Sequence, residues 1–267
     1  MENLYEFFDD IVCINLSESK DRKIHSENIF KTFGIPARFF TVDKHENGGL
    51  YGCFDSHIQI IQDAYNNGLN NILIFEDDFE PSESYSREKL SKAIEFMSTS
   101  EQWDIFYLGY CFCFESFNSG TTTVLSGKRI SNDIVQYNAG TTHALCYSRR
   151  SMEKILKTYH DYIGIIHYDQ YLSDYIGLKN YCILPMIFQQ NLSFSYNIEG
   201  QHGLEMINRM ILYPIDSYIN MNYNASKLHY DLTTTTKYSR YYKYIFLILT
   251  SITLHIIKKS ILKNIAI

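Results

Sequence analysis

The chain has no excess of positive charge, no C-x-x-C pair, no apolar run of membrane-spanning length and no internal repeat. Each absence narrows the field. A net charge of −6, with no basic helix and no zinc-finger spacing, argues against a nucleic-acid-binding protein. The six cysteines are Cys13, Cys53, Cys111, Cys113, Cys146 and Cys182. Cys111 and Cys113 would share a strand face, but no second ligand pair follows. Most of the six fall in apolar runs and read as buried thiols, not as a disulfide framework. The acidic first ten residues lack a basic n-region, so no signal peptide is expected, and the location reads as cytoplasmic or membrane-associated. Near the other end, residues 244–257 form a 14-residue stretch without acid or lysine. A span needs roughly 20 apolar residues. Arg240, Lys243, Lys258, Lys259 and Lys263 flank the stretch, which predicts a helix lying on an anionic membrane surface, giving peripheral membrane contact. A terminal helix packed on the domain is the alternative. Thr233 to Thr236 read as a linker, so the expected division is 1–230 for the main domain and 231–267 for linker and tail.

What the chain does have is enough apolar material for a normal core: 267 residues, 45% hydrophobic and 20% charged, with 23 Tyr and 17 Phe. That suits one large α/β domain or two small ones. Residues 11–16 read as a buried strand and 21–33 as a helix ending at Gly34. Phe39 to Val42 read as a second strand. A helix is expected from Asp55 or Ser56 to Asn66, with one of these two as its N-cap. Residues 72–75 form a third strand, 86–97 an amphipathic helix and 103–110 a fourth strand. A loop or hairpin follows over 116–137, then a strand at 142–148 and a helix from Ser151 to His160. This alternation predicts a parallel sheet with helices on both faces.

The most informative stretch is residues 71–81. Ile72, Leu73, Ile74 and Phe75 run directly into Glu76, Asp77 and Asp78. Ligands of open α/β sheets collect at the carboxyl ends of strands, so these acids stand where a site would be. Adjacent carboxylates repel unless a cation shares them. Hard oxygen donors suit Mg²⁺ or Mn²⁺. A solvated acidic turn after a strand is the plain alternative.

The ordered set of short motifs resembles glycosyltransferase family 25, which includes bacterial lipooligosaccharide galactosyltransferases and procollagen galactosyltransferases. It begins with Ile14-Asn15-Leu16, Arg22 and Val42-Asp43. It continues with Gly52-Cys53 and Ser56-His57, then Phe75-Glu76-Asp77-Asp78, then Trp103-Asp104 and Leu108-Gly109. Thr142-His143-Ala144, Ser148-Arg149, His167-Tyr168-Asp169, Pro185, Gln189 and Ser195 complete it. The resemblance spans roughly residues 9–200. Its most specific part is G-C-x-x-S-H followed about twenty residues later by F-E-D-D. Departures are Lys44 where the family often has glycine, Leu145 where it commonly has tyrosine, and a short loop between Asp43 and Gly52.

The resemblance implies a GT-A-like α/β fold, a nucleotide-sugar donor, and a divalent cation, Mn²⁺ or Mg²⁺, held by a D-x-D-like triplet. Glu76, Asp77 and Asp78 fill that place, with Asp78 the first choice for direct ligation. Asp169 matches the aspartate expected to act as general base, although an aspartate at a helix start also caps well. Asn15, Leu16, Arg22, Asp43, Ser56, His57 and His143 become candidate donor-binding residues together with Glu76 and Asp77. For Arg22 the alternative is a solvated side chain near a helix start. For His57 and His143 it is a core histidine bonded locally. His202 is a further candidate metal ligand without a secure place in the motif order. The expected reaction is transfer of galactose or glucose from a UDP-sugar to a hydroxyl of a glycan or a hydroxylated polypeptide, with inversion. The competing classes are an inactive, membrane-associated carbohydrate-binding protein of the same fold and a metal-dependent phosphohydrolase. The latter wants D-x-D-x-[TV], which Glu76-Asp77-Asp78-Phe79-Glu80 does not supply.

Overall fold

Two short apolar runs set the frame of the sheet. Ile11, Val12 and Cys13 lie in β1 (Asp10–Leu16), and Ile72 to Phe75 lie in β3 (Asn71–Glu76); all are buried. β-Branched and aromatic side chains are well suited to a strand covered on both faces. The two strands pair in parallel with Ile14 opposite Glu76, and β2 (Arg38–Val42) pairs in parallel on the other side of β1. Between β1 and β2 runs α1 (Lys20–Phe33), closed by Gly34 in the left-handed conformation at φ 65°. The computed structural model describes residues 4–100, 102–111 and 128–191. His202, Ser195, the 233–236 linker, the 240–263 tail and the expected boundary near residue 230 lie outside them.

Beyond β3 the sheet is mostly but not wholly parallel. β8 (Gly140–Ser148) runs antiparallel between β3 and β5 (Ile105–Cys111). Periodicity reports burial, not direction, so the sequence had no means of showing the inversion. The sheet order is β2-β1-β3-β8-β5-β9-β7-β6. β9 (Asn180–Ile183) continues in parallel from β5, and the hairpin of β6 (Lys128–Arg129) and β7 (Ile134–Gln136) closes that edge. β10 (Phe188–Gln190) joins β5 in parallel and β4 (Phe79–Pro81) antiparallel. Following these pairings, β1, β2, β3, β5, β6, β9 and β10 point one way and only β4, β7 and β8 the other. With its helices this is a GT-A-like α/β fold with a mixed, mostly parallel sheet.

Two helix starts differ from expectation. α2 (Gly49–Asn66) begins six residues before Asp55. Gly48, at φ 87°, ends a turn and the helix starts at once. Gly52 then sits so near His45 that an added Cβ would stand 2.9 Å from the His45 Cβ. Glycine is thus required inside the helix by close approach, and here it is not a turn signal. α4 (Arg149–Thr158) starts two residues before Ser151, because Ser148 caps it by accepting from the Ser151 amide at 3.2 Å. Before it, α3 (Arg87–Thr99) is capped by Ser86 through the Lys89 amide. A short helix, α5 (Tyr168–Gln170), leads into a π-helical turn, Tyr171–Tyr175.

The core holds the site-bearing turn from below. Phe75 and Phe79 flank Glu76-Asp77-Asp78, are fully buried, and have ring centroids 4.3 Å apart. Phe30 of α1 stacks on Phe79 at 5.2 Å, and Phe188 of β10 meets Phe75 edge-on at 5.1 Å. Burying one such ring is worth about 1.5–3 kcal/mol, so this turn rests on four rings. At the start of β5, buried Asp104 accepts from Arg150 Nε at 2.7 Å, Lys154 Nζ at 2.8 Å and the Lys179 amide at 2.8 Å. It ties α4 to the sheet and is structural.

Candidate active site

The acidic triplet occupies the carboxyl end of β3 and the turn into β4, and its members have different neighbours. Asp77 is 4% exposed. It accepts from Asn15 Nδ2 at 2.6 Å, is ion-paired with Arg22, and its amide donates to the Ile14 carbonyl at 3.1 Å. Ser26 of α1 donates to its carbonyl oxygen at 3.2 Å. Asp78 is equally buried. Its Oδ2 accepts from Gln190 Nε2 at 2.9 Å and lies 3.3 Å from Arg22 Nη2, while its Oδ1 has no hydrogen-bond partner. Glu76 turns toward α2 and β8. Its Oε1 meets His57 Nε2 at 3.3 Å, the Cys53 thiol at 3.8 Å and the Thr142 hydroxyl in a short bond.

The antiparallel insertion of β8 completes the site. Because Ala144 pairs with Phe75, the first residues of β8 lie beside the end of β3. Thr142 bonds Glu76, and the Thr141 amide donates to Asp169 Oδ2 at 3.1 Å. Adjacent residues 141 and 142 therefore connect Asp169 and the acidic triplet. Thr141 adopts φ 64°, an uncommon conformation for a β-branched residue that tends to persist where surrounding structure fixes it. Its hydroxyl lies 3.0 Å from His143 Nδ1. The His143 ring is fully buried against Gly109, where an added Cβ would fall 2.4 Å from Nε2. Asp169 is half-buried in α5; its Oδ1 accepts from the Gln170 amide at 2.8 Å. Each of its oxygens keeps a lone pair for another donor.

The electrostatics separate the carboxylates. Burial alone would raise Glu76, but the hydrogen bond and charge of His57 and the Thr142 hydroxyl outweigh it and bring the group down to about 2. Burial pushes Asp78 up to about 7, reinforced by the Glu76 charge and opposed by Arg22. Asp77 is also raised by burial, against the pull of Arg22 and Asn15. Burial lowers His143 to about 4, so its imidazole is neutral at pH 7. A carboxyl that titrates near neutrality, beside an ionised neighbour and with an orphaned oxygen, is a group that an incoming cation would ionise.

The structure brings most of the expected residues together and reassigns several. Asn15 and Leu16 end β1 against the triplet. Arg22 is buried and engaged with Asp77 and Asp78, not a solvated cap. Ser56 is not an N-cap: it lies inside α2, where its hydroxyl donates to the Gly52 carbonyl at 2.7 Å. His57 is likewise no helix-start residue. It is fully buried, stacks on Tyr168 at 4.6 Å and places Nδ1 3.3 Å from the Tyr147 hydroxyl. Asp43 is exposed at the end of β2 and accepts from Ser17 at 2.5 Å. Asp169 is not the N-cap of α5; His167 holds that position. Thr141, Thr142, Cys53 and Gln190 were not among the expected site residues. Cys53 and Thr142 stood within the quoted motifs without a role, whereas Thr141 and Gln190 had position alone as their signal, one two residues before His143 and one after Gln189.

The family profile of glycosyltransferase family 25 (LPS biosynthesis protein) matches residues 44–199, which is 156 of 267 residues. The match starts after Asn15, Arg22 and Asp43, later than the resemblance near residue 9 suggested. No curated protein matches at a significant level. Among solved structures, a glycosyltransferase involved in the glycosylation of the major capsid of PBCV-1 is similar at 11% identity. That likeness covers 74% of this chain and 99% of the other, with a TM-score of 0.41. A197 from STIV is similar at 12% identity, over 65% and 81%, with a TM-score of 0.38. These two likenesses are too loose to carry weight, and the family match does not depend on them. With more than half its length matched, the chain belongs to glycosyltransferase family 25 and is a glycosyltransferase.

Proposed function

We propose that this glycosyltransferase transfers a hexose, galactose or glucose, from a UDP-sugar to a hydroxyl of a glycan or a hydroxylated protein side chain, with inversion and with Mn²⁺ or Mg²⁺ as cofactor. The observation that carries the reading is Asp78, a buried carboxylate with an unpartnered oxygen at the end of a central strand. It fits a hard cation, with Asp78 Oδ1 as the donor free to ligate and the carboxylates of Glu76 and Asp77 adding negative charge beside it. A divalent cation bound there supplies Lewis-acid stabilisation of the charge that develops on the departing nucleoside diphosphate.

The remaining work falls to this chain's side chains. Asn15 and Arg22 fix Asp77, which keeps the turn and its neighbour Asp78 in place. His57 and Thr142 hold Glu76 ionised. The ends of β1 and β2, with Asn15, Leu16 and Asp43, form the rim on which a nucleoside would rest. Asp169, steadied by the amides of Thr141 and Gln170, takes the acceptor hydroxyl proton as the new glycosidic bond forms and the bond to the diphosphate breaks. Among the described residues, no helix is long and apolar enough to cross a membrane. Peripheral contact through the basic, apolar 240–263 segment belongs to the same proposal.

The deciding experiment is a donor screen that follows hydrolysis and transfer of UDP-sugars with Mn²⁺ present and after chelation. Metal-dependent turnover of UDP-galactose or UDP-glucose is expected. Turnover that survives chelation, or that prefers another nucleotide, would overturn the assignment.

A further inference from the structure

Beside the acidic triplet lies a second constellation with different chemistry. Cys53 and His57 stand one helical turn apart on α2, and Glu76 reaches them from β3. One ligand atom from each falls within 4.8 Å of the other two. Glu76 Oε1 is 3.3 Å from His57 Nε2 and 3.8 Å from Cys53 Sγ. Donors of a tetrahedral zinc site, with Zn–S of about 2.3 Å and Zn–N and Zn–O of about 2.0 Å, stand roughly 3.3–3.6 Å apart. The two edges from Glu76 are close to those of such a tetrahedron, and the Cys53–His57 edge lies within 4.8 Å.

Two further features favour metal binding over simple hydrogen bonding. His57 is fully buried and presents Nε2 to the cluster, while its other nitrogen lies 3.3 Å from the Tyr147 hydroxyl and its ring stacks on Tyr168. A ligating histidine is commonly fixed through its second nitrogen in this way. The cluster is also accessible from one side: Cys53 is half-buried, and the Glu76 side chain is 18% exposed where the His57 side chain is 0%.

We infer that Cys53, His57 and Glu76 form a binding site for a borderline-soft divalent cation, Zn²⁺ by preference, distinct from the hard-cation position at Asp78. Thiolate and imidazole donors select zinc over magnesium or manganese. On binding, the Cys53 thiol loses its proton to solvent and a Zn–S bond forms; His57 binds through neutral Nε2 with its proton on Nδ1, facing the Tyr147 oxygen. The ion cross-links α2 to the end of β3 and so fixes the direction of Glu76.

The test is cobalt titration of the full-length protein after removal of bound metal. Co²⁺ in a tetrahedral thiolate site gives a thiolate-to-metal charge-transfer band and intense visible bands. One equivalent of Co²⁺ should develop both, and one equivalent of Zn²⁺ should bleach them. Cys53→Ser, checked by circular dichroism for intact secondary structure, should lose the charge-transfer band. Tyr147→Phe, which removes only the partner of Nδ1, should keep the band but bind about 10-fold more weakly. Asp78→Asn should bind Co²⁺ with an unchanged band even if it no longer binds Mn²⁺. That separates failure of this site from failure of the proposed donor chemistry. Absence of a thiolate band in the wild-type protein, its persistence in Cys53→Ser, or its loss in Asp78→Asn would each overturn the assignment.

Discussion

Asp78→Asn should stabilise the ligand-free protein above neutral pH while abolishing its activity. The carboxyl is raised from 3.8 to about 7, chiefly by burial and then by the charge of Glu76. At about 1.36 kcal/mol per tenfold change in proton affinity, this disfavours the ionised form in the native state by at most about 4 kcal/mol. The sign follows from linkage. The unfolded chain releases the proton near pH 4 and the native chain near 7, so native stability falls as pH rises through that window and is lowest above it. Asparagine keeps the shape, can still accept from Gln190, and removes the charge. It also gives up the 3.3 Å approach to Arg22, which retains Asp77. A net gain of roughly 1–3 kcal/mol at pH 8 is the expected balance, falling by about 3 kcal/mol to zero or a net loss at pH 4.5. Urea denaturation at both pH values, with chelator present, measures it. Added Mn²⁺ and UDP should then raise the midpoint of the wild-type protein and leave the variant unchanged. A variant no more stable than wild type at pH 8, or one with the same difference at both pH values, would refute the claim that Asp78 is held under electrostatic strain.

Three more outcomes follow from individual contacts. Gly109→Ala places a methyl 2.4 Å from His143 Nε2 and 2.8 Å from the Phe188 carbonyl, and one of those is backbone. A loss of about 1–3 kcal/mol is expected by thermal or urea unfolding, and Gly109→Ala/His143→Ala should recover only the part due to the ring. Asp169→Asn should lower kcat about 10²–10⁴-fold with UDP affinity intact, as general-base loss does; wild-type turnover would place the base elsewhere. The full chain should sediment with anionic liposomes at low salt and be released at high salt, since each flanking cation near the surface contributes roughly 1 kcal/mol that salt screens.

How much of this was legible in the sequence depended on length and direction. β1, β3 and α1 announced themselves through apolar runs and the Gly34 stop, and they carry the triplet. β4, β9 and β10 have three or four residues each, too few to show a period. Yet β10 delivers Gln190 to Asp78. β8 was visible as a strand but not as an antiparallel one, and that inversion alone brings Thr141 and Thr142 to the acids. Glycine also misled. Gly48 ends a turn, but Gly49 already opens α2 and Gly52 lies inside it against His45, so Ser56 and His57 fall in the helix interior and not at its end.

The triplet itself shows what a motif leaves undetermined. Three consecutive acids are alike on paper, and strand alternation says only that Asp77 faces away from its neighbours. Packing decides the rest. Asp77 faces α1 and the end of β1, where Arg22 and Asn15 occupy both of its oxygens, so it acts as the anchor of the turn. Glu76 faces α2 and β8, where His57 and Thr142 keep it ionised. That fixed charge then acts on Asp78, which has no comparable donor at Oδ1 and rises toward neutrality. The ionised first acid thus increases the affinity of the third for a cation, and the second prevents the turn from relaxing to relieve the repulsion. Replacing Glu76 by Gln should therefore lower the Asp78 pKa and weaken divalent-cation binding at Asp78 together. A variant that shifts one without the other would show that the two acids are not coupled.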